Sequence, residues 1–221
     1  MTAPNDQSKG RRQYASVVRA RQAEQTRAAI VSAASDCFAE RGYRGTTMKD
    51  IATRAGVAVE TVYAHGNKAS LLTAAVDSVR AGDADAEHLV ERSDMRAVLE
   101  AASPRAALRQ LATLIADSLP AALPVLAAFR QAADSDPKIA EAYEAYEGKR
   151  WLDLRPITDA LTPGLRAGVS VDEAADTVWS LLDPTAAEGL VRRRGWTVAQ
   201  WAEWVVTALE RMLLDDSAGR R

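Results

Sequence analysis

Gly56 divides residues 46–72, TTMKDIATRAGVAVETVYAHGNKASLL, into two short stretches with helical spacing, and the break it makes limits how the two can be arranged. On its N-terminal side Thr47 precedes Asp50 by three residues. In that pattern the hydroxyl and the carboxylate each serve a backbone N–H that the first turn of a helix leaves unpaired, so a helix starts after Thr47. Ile51, Ala52 and Ala55 fall at i, i+1 and i+4, a narrow apolar face, and Gly56 follows where a tight turn needs left-handed backbone. Val57 enters the turn and Val62 recurs five residues on, so the second helix packs on the first at a steep angle. Small Ala52 allows the close approach. Two crossed helices of this kind, the second running into Tyr63, His65 and Lys68, have the layout of a helix-turn-helix that reads DNA.

On that layout Val59, Glu60, Thr61, Tyr63, Ala64 and His65 face a duplex. Tyr63, His65, Lys68 and the Thr61 hydroxyl are donors for phosphate oxygens. Val59 and Ala64 match a thymine methyl, and the Glu60 carboxylate matches a cytosine amino group. Phosphates repel a carboxylate, so the alternative for Glu60 is to point to solvent or to a nearby arginine. Arg44, Thr47 and Lys49, at the entry to the first helix, complete the expected DNA-contact set.

These residues resemble the TetR family of bacterial transcriptional regulators. Thr47, Ile51, Ala52, Ala55, Gly56, Val57, Thr61, Tyr63, His65, Lys68, Leu71 and Leu72 fill that family's N-terminal pattern. The preceding helix fits as well: Ile30, Ala33, Ala34, Cys37 and Phe38 recur at i, i+3, i+4, i+7 and i+8 before Gly42-Tyr43. The likeness spans roughly residues 24–80. Two departures stand out. Ala58 replaces the usual serine cap, and one residue is missing between His65 and Lys68, leaving Gly66-Asn67 as the link with Asn67 as the next cap. The resemblance implies an all-α fold, with a three-helix helix-turn-helix domain followed by a helical domain for effector binding and dimerisation. It divides the chain into a basic arm over 1–23, a DNA-binding domain over 24–82 and a second domain over 83–221.

Charge follows the same division. The 221 residues carry a net charge of −2, yet residues 1–80 are net +5 and the remainder net −7. Local positive potential in the half with the motif is what phosphate contact requires. In the first 25 residues Lys9, Arg11, Arg12, Arg19 and Arg21 form an arm or extra helix for phosphate or minor-groove contacts, or else a disordered, solubilising tail. A single cysteine, Cys37, excludes an internal disulfide and a cysteine-based zinc site, and its place on an apolar helix face makes it core. With no apolar leader and no run approaching a membrane span, the expectation is a cytoplasmic protein without a membrane partner.

Beyond Gly82 alanine- and leucine-rich helical stretches alternate with proline or glycine, and no strand alternation appears. Helices are predicted over 67–81, 104–118, 120–133, 136–161, 171–194 and 197–215, with breaks at Pro104, Pro120, Pro137 and Pro163-Gly164, and with Pro184 kinking or splitting its helix. The last two helices are amphipathic. Val178, Leu182, Trp201, Val205, Ala208, Leu209 and Met212 are the expected homodimer interface, by resemblance to the four-helix bundle of the family; the alternative is that they close the monomer core. The resemblance also places an effector cavity among the intervening helices. Leu111, Ile115, Leu126, Phe129, Tyr143, Tyr146 and Trp151 are its apolar candidates, and Arg130 and Arg155 its polar anchors. Such a lining matches a small, mainly apolar molecule.

Catalysis lacks parts. His65 and His88 are the only histidines, neither a nucleophile elbow nor metal-ligand spacing occurs, and Glu141, Glu144 and Glu147 read as a solvated helix face, so no catalytic residue, metal or cofactor is expected. The expected function is a ligand-responsive regulator, a repressor that binds a palindromic double-stranded operator as a homodimer. The alternative is an effector-independent architectural or activating DNA binder, which would need no cavity.

Overall fold

The structure, a computed structural model, describes the backbone of residues 6–81 and 93–215 and the side chains of residues 18–80 and 95–215. Residues 1–5, the side chains of Lys9, Arg11 and Arg12, the boundary at 82–83 and His88 lie outside this description. Ten helices are described: α1 (Asp6–Gly45), α2 (Met48–Ala55), α3 (Val59–His65), α4 (Lys68–Ala81), α5 (Ser93–Leu99), α6 (Pro104–Ala133), α7 (Pro137–Leu161), α8 (Val171–Leu181), α9 (Pro184–Glu188) and α10 (Val198–Leu213). The basic arm is not separate from the first helix, since the helical backbone runs unbroken from Asp6 until Gly42 adopts φ 67° and ψ 178°.

Local chemistry sets most of the helix starts. Ser103 accepts from the Ala106 N–H ahead of Pro104, and Asp136 accepts from the Lys138 N–H ahead of Pro137. Proline there forfeits only a donor that the first turn leaves unpaired anyway. Ser170 with Glu173 and Thr197 with Gln200 form reciprocal capping boxes at α8 and α10. Pro184 splits the stretch expected over 171–194 into α8, α9 and a wide π turn at Gly189–Arg193.

Two expectations fail here. The predicted break at Pro120 is absent, because α6 runs continuously through both Pro120 and Pro124. An interior proline costs about 3 kcal/mol. Beyond Pro120, Leu123 and Val125 are buried, each such residue contributing about 1.5–3 kcal/mol, and that burial outweighs the ring. Nor is it correct that no segment approaches a membrane span: α6 contains an 18-residue window of mean hydropathy 1.7, long and apolar enough to cross one. Its neighbours explain the composition. It packs against α1, α4, α5, α7, α9 and α10, and a helix enclosed on that many sides needs apolar residues around most of its circumference. The short α5, which places Met95 and Val98 in the core, is not among the predicted helices.

Two hydrophobic clusters meet along α6. One joins Ile30, Phe38, Ile51, Val62 and Leu72 of the first four helices to Val125 and Phe129; the other joins Leu108, Leu111 and Leu119 to Ile157, Val178 and Trp201. The N-terminal helices are therefore seated on the second half of α6. Cys37 is 2% exposed, inside the first cluster, and burial raises its thiol pKa.

Candidate nucleic-acid interface and ligand cavity

The frame of the reader begins with the Thr47 cap. Thr47 Oγ1 accepts from the Asp50 N–H at 3.1 Å, and Asp50 Oδ2 accepts from the Thr47 N–H at 2.9 Å and from its hydroxyl at 2.6 Å. These bonds hold the Asp50 carboxyl below its ordinary range, with Arg41 at 2.7 Å adding to them. Gly56 stands at φ 69° and donates back to Ala52 and Thr53, the left-handed turn its sequence position demands. Ala58 gives α3 no side-chain cap. Asn67 caps α4 through Oδ1, 2.9 Å from the Ser70 N–H. Gly66 has φ 142°, and a Cβ there would meet Ser70 Oγ at 2.3 Å, so the shortened link requires glycine.

Within α3 Val62 is fully buried while Glu60, Tyr63 and Ala64 are exposed, Tyr63 by 61%. Arg44, Thr47 and Lys49 are exposed beside them. Thr61 and His65 are half-buried. His65 Nδ1 lies 2.8 Å from the Thr61 carbonyl, which makes Nδ1 the donating nitrogen and leaves Nε2 as the outer one. Val59 is half-buried against the core, so less of it faces outward than expected. Lys68 departs furthest from expectation. Its ammonium donates to the Thr46 carbonyl at 2.8 Å and lies 4.3 Å over the Tyr43 ring, and desolvation lowers its pKa. The lysine expected at a phosphate thus has its ammonium against the Tyr43 ring and the Thr46 carbonyl.

A cavity of about 160 Å³ lies among α4, α5, α6, α7 and the α8–α9 corner. Val79, Met95, Ile115, Leu119, Leu126 and Leu154 make most of its wall, and Tyr146, Arg80, Arg150 and Asp153 supply the polar part. Asp153 accepts from Arg80 Nη1 across the wall. Arg150 is bound to Glu147 at 2.9 and 3.0 Å and to the Trp179 carbonyl at 2.8 Å, with its guanidinium 4.6 Å over the Trp179 ring. Burial raises the Tyr146 pKa, and raises that of Tyr143 to about 12.

A family profile described as bacterial regulatory proteins, tetR family, matches residues 30–75. The chain carries a TetR-family domain. The chain is 37% identical over 91 residues to the probable HTH-type transcriptional regulator ArpR of Pseudomonas putida, 41% of this chain and 40% of that one. To the HTH-type transcriptional regulator TtgR, also of Pseudomonas putida, it is 46% identical over 59 residues, 26% of this chain and 28% of that one. It thus spans well under half the length of these curated relatives. The crystal structure of NalD, the secondary repressor of the MexAB-OprM multidrug efflux pump in Pseudomonas aeruginosa, superposes with a TM-score of 0.64 at 25% identity, covering 88% of this chain and 98% of that one.

Within this TetR-type architecture several expected positions move. Ile115, Leu126 and Tyr146 line the cavity, but Leu111 and Phe129 are fully buried core residues. Arg130 and Tyr143 border an adjoining cleft of about 10 Å³ that shares Leu126, Tyr146 and Pro184 with the cavity, and Arg130 sits 3.9 Å from Glu188. Trp151 faces α8 instead, its Nε1 donating to Asp176 at 3.0 Å, and Arg155 is tied to Asp159 and Asp172 on the surface. Glu147, expected in solvent, is half-buried under Arg150. Arg80, Arg150 and Asp153 are missing from the expected lining because nothing in the sequence joins positions 73 residues apart.

The expected dimer residues need the largest correction. Val178, Leu182, Trp201, Val205 and Leu209 are each at most 4% exposed within a single chain, so the inner faces of α8 and α10 close its own core. Only half-buried Ala208 and exposed Met212 of that set remain outside, and Trp204, 39% exposed, completes an i, i+4, i+8 stripe on the outer face of α10.

Proposed function

We propose that this TetR-type chain is a DNA-binding transcriptional regulator, a repressor that holds a palindromic operator as a homodimer and leaves it when a small molecule occupies the cavity beside α4. The observation that carries the proposal is the division of α3: Val62 anchors it from within while Glu60, Tyr63 and Ala64 stand exposed on a helix framed by the Thr47 cap and the Gly56 turn. That leaves side chains of both kinds outside, Tyr63 for phosphate and Glu60 with Ala64 for base edges. Arg44, Thr47, Lys49, Thr61 and His65 flank them, and the outer stripe of α10 is the surface assigned to the second subunit. The cavity favours an effector-responsive regulator over an architectural binder, which has no use for one. NalD, of similar fold, is a repressor, and the direction of regulation is carried over from it.

The test is selection of duplexes retained by the full chain from a random pool, followed by footprinting. Enrichment of a two-fold site with half-sites about 34–36 Å apart, or a multiple of that spacing, is expected. Retention without sequence preference would support the architectural alternative, and no retention at all removes both.

A further inference from the structure

Asp153 is the only charged residue buried among the described residues, and it lies in the wall of the cavity. Its side chain is 6% exposed, while that of its partner Arg80 is 20% exposed and comes from the last turn of α4. The two partners are therefore unequal. Arg80 can carry its charge outward along a flexible stem, but Asp153 is held on α7 and cannot follow. Removing the guanidinium without replacing it would leave a buried carboxylate uncompensated, which is strongly unfavourable.

We propose, building on the effector reading above, that the ligand is an organic cation with an apolar body, and that its positive group takes the place of Arg80 on Asp153. The exchange conserves charge in the wall: one cation leaves as another arrives. An anionic ligand has no equivalent seat. It would compete with Asp153 for Arg80, or with Glu147 and the Trp179 carbonyl for Arg150. The remainder of the wall accepts the body, since Ile115, Leu119, Leu126 and Leu154 are apolar and Tyr146 adds an aromatic side chain. A volume of about 160 Å³ matches the size of engineered cavities of ~150 Å³ that admit benzene, which sets the body at one ring or a short chain. Occupancy then releases α4 from α7 at the Arg80 end.

The experiment uses three probes of one body, benzylguanidinium, phenylacetate and benzyl alcohol, titrated calorimetrically into the full chain without DNA. Benzylguanidinium should bind at least about tenfold more tightly than the other two, and Asp153→Asn should lose at least about tenfold of that affinity. Arg80→Ala, which removes the competitor, should bind the cation more tightly than the parent chain and gain more thermal stability from it. Should either variant fold poorly, rescue of Arg80→Ala by benzylguanidinium but not by phenylacetate supports the proposal, and absence of rescue overturns it. Preference for phenylacetate, or unchanged cation affinity in a folded Asp153→Asn, also overturns it. Failure of the DNA reading is separate, because it appears as duplex retention lost in the unliganded chain, whatever these titrations give.

Discussion

Replacing Lys68 by alanine separates two roles that its position allows. Its ammonium donates at 2.8 Å to the carbonyl of Thr46, a residue only 1% exposed, and rides 4.3 Å above the Tyr43 ring. A hydrogen bond from a charged donor nets about 1.5–3 kcal/mol. The ring contact adds about 0.5–1 kcal/mol. Desolvation of the ammonium, the cause of its lowered pKa, offsets part of that sum. Lys68→Ala should therefore cost about 2 kcal/mol, a fall in Tm of about 4–8 °C for a chain of this length. Lys68→Met, which keeps most of the stem, should recover only the packing share. Calorimetry reads the stability, and a salt titration of duplex binding reads the electrostatics. One phosphate contact contributes about 0.9 to the slope of log K against log salt, and Lys68→Ala should change that slope by much less. An unchanged Tm with a slope lower by about 0.9 would refute the reasoning and return Lys68 to the phosphate backbone.

Tyr63→Ala should do the opposite, leaving Tm within about 1 °C because the ring is mostly exposed while weakening binding to every duplex by about tenfold or more. Glu60→Gln should instead change base preference at one position of a selected site, by about 1–3 kcal/mol, with equal loss on all sites counting against a base contact. Gly66→Ala should destabilise by about 1–3 kcal/mol in urea melts, since its φ of 142° is strained for an L residue and the Ser70 hydroxyl, 2.3 Å from the added methyl, must rotate away; a neutral result would show that the link between α3 and α4 adjusts freely. Joint replacement of Trp204 and Met212 by glutamate should give monomers in sedimentation with helix content intact, whereas Trp201→Ala should cost about 3–5 kcal/mol in stability; dimers surviving the first change would place the interface elsewhere.

What the sequence declares well is what residues a few positions apart decide. The Thr47 and Asp50 box, the Gly56 turn, the missing cap at Ala58 and the Asn67 cap all depend on partners within four residues, and each stands as the sequence implies. The failures have the opposite character. An apolar stripe on α10 announces burial but not the surface that covers it, so the sequence assigns Trp201, Val205 and Leu209 to a second subunit when their own chain encloses them. Pro120 reads as a stop because the local cost is visible and the compensating burial of Leu123 and Val125 is not. Distance along the chain from α3 assigns Lys68 to DNA and does not reveal the carbonyl partner 22 residues earlier. The polar wall of the cavity is the extreme case, for Asp153 looks like any solvated helix aspartate until α4 delivers Arg80 to it.

One helix touches both the reader and the cavity. α4 has 14 residues and is therefore about 21 Å long. Its first turn is fixed to the reader by the Asn67 cap and by Lys68 reaching the Thr46 carbonyl just ahead of α2. Its last turn carries Arg80 to Asp153 on α7. Between these ends Leu72, Ala75 and Val76 are buried against the cluster shared with α6. On the proposed effector reading, a shift at the Arg80 end of α4 would be passed along the helix toward α3. In the proposed homodimer two such helices would have to match a duplex of fixed repeat, so a change in each would weaken the match. It follows that weakening the Lys68 anchor and the Arg80 latch should not be equivalent: the first loosens the reader itself, while the second leaves the reader intact and alters only where it is held.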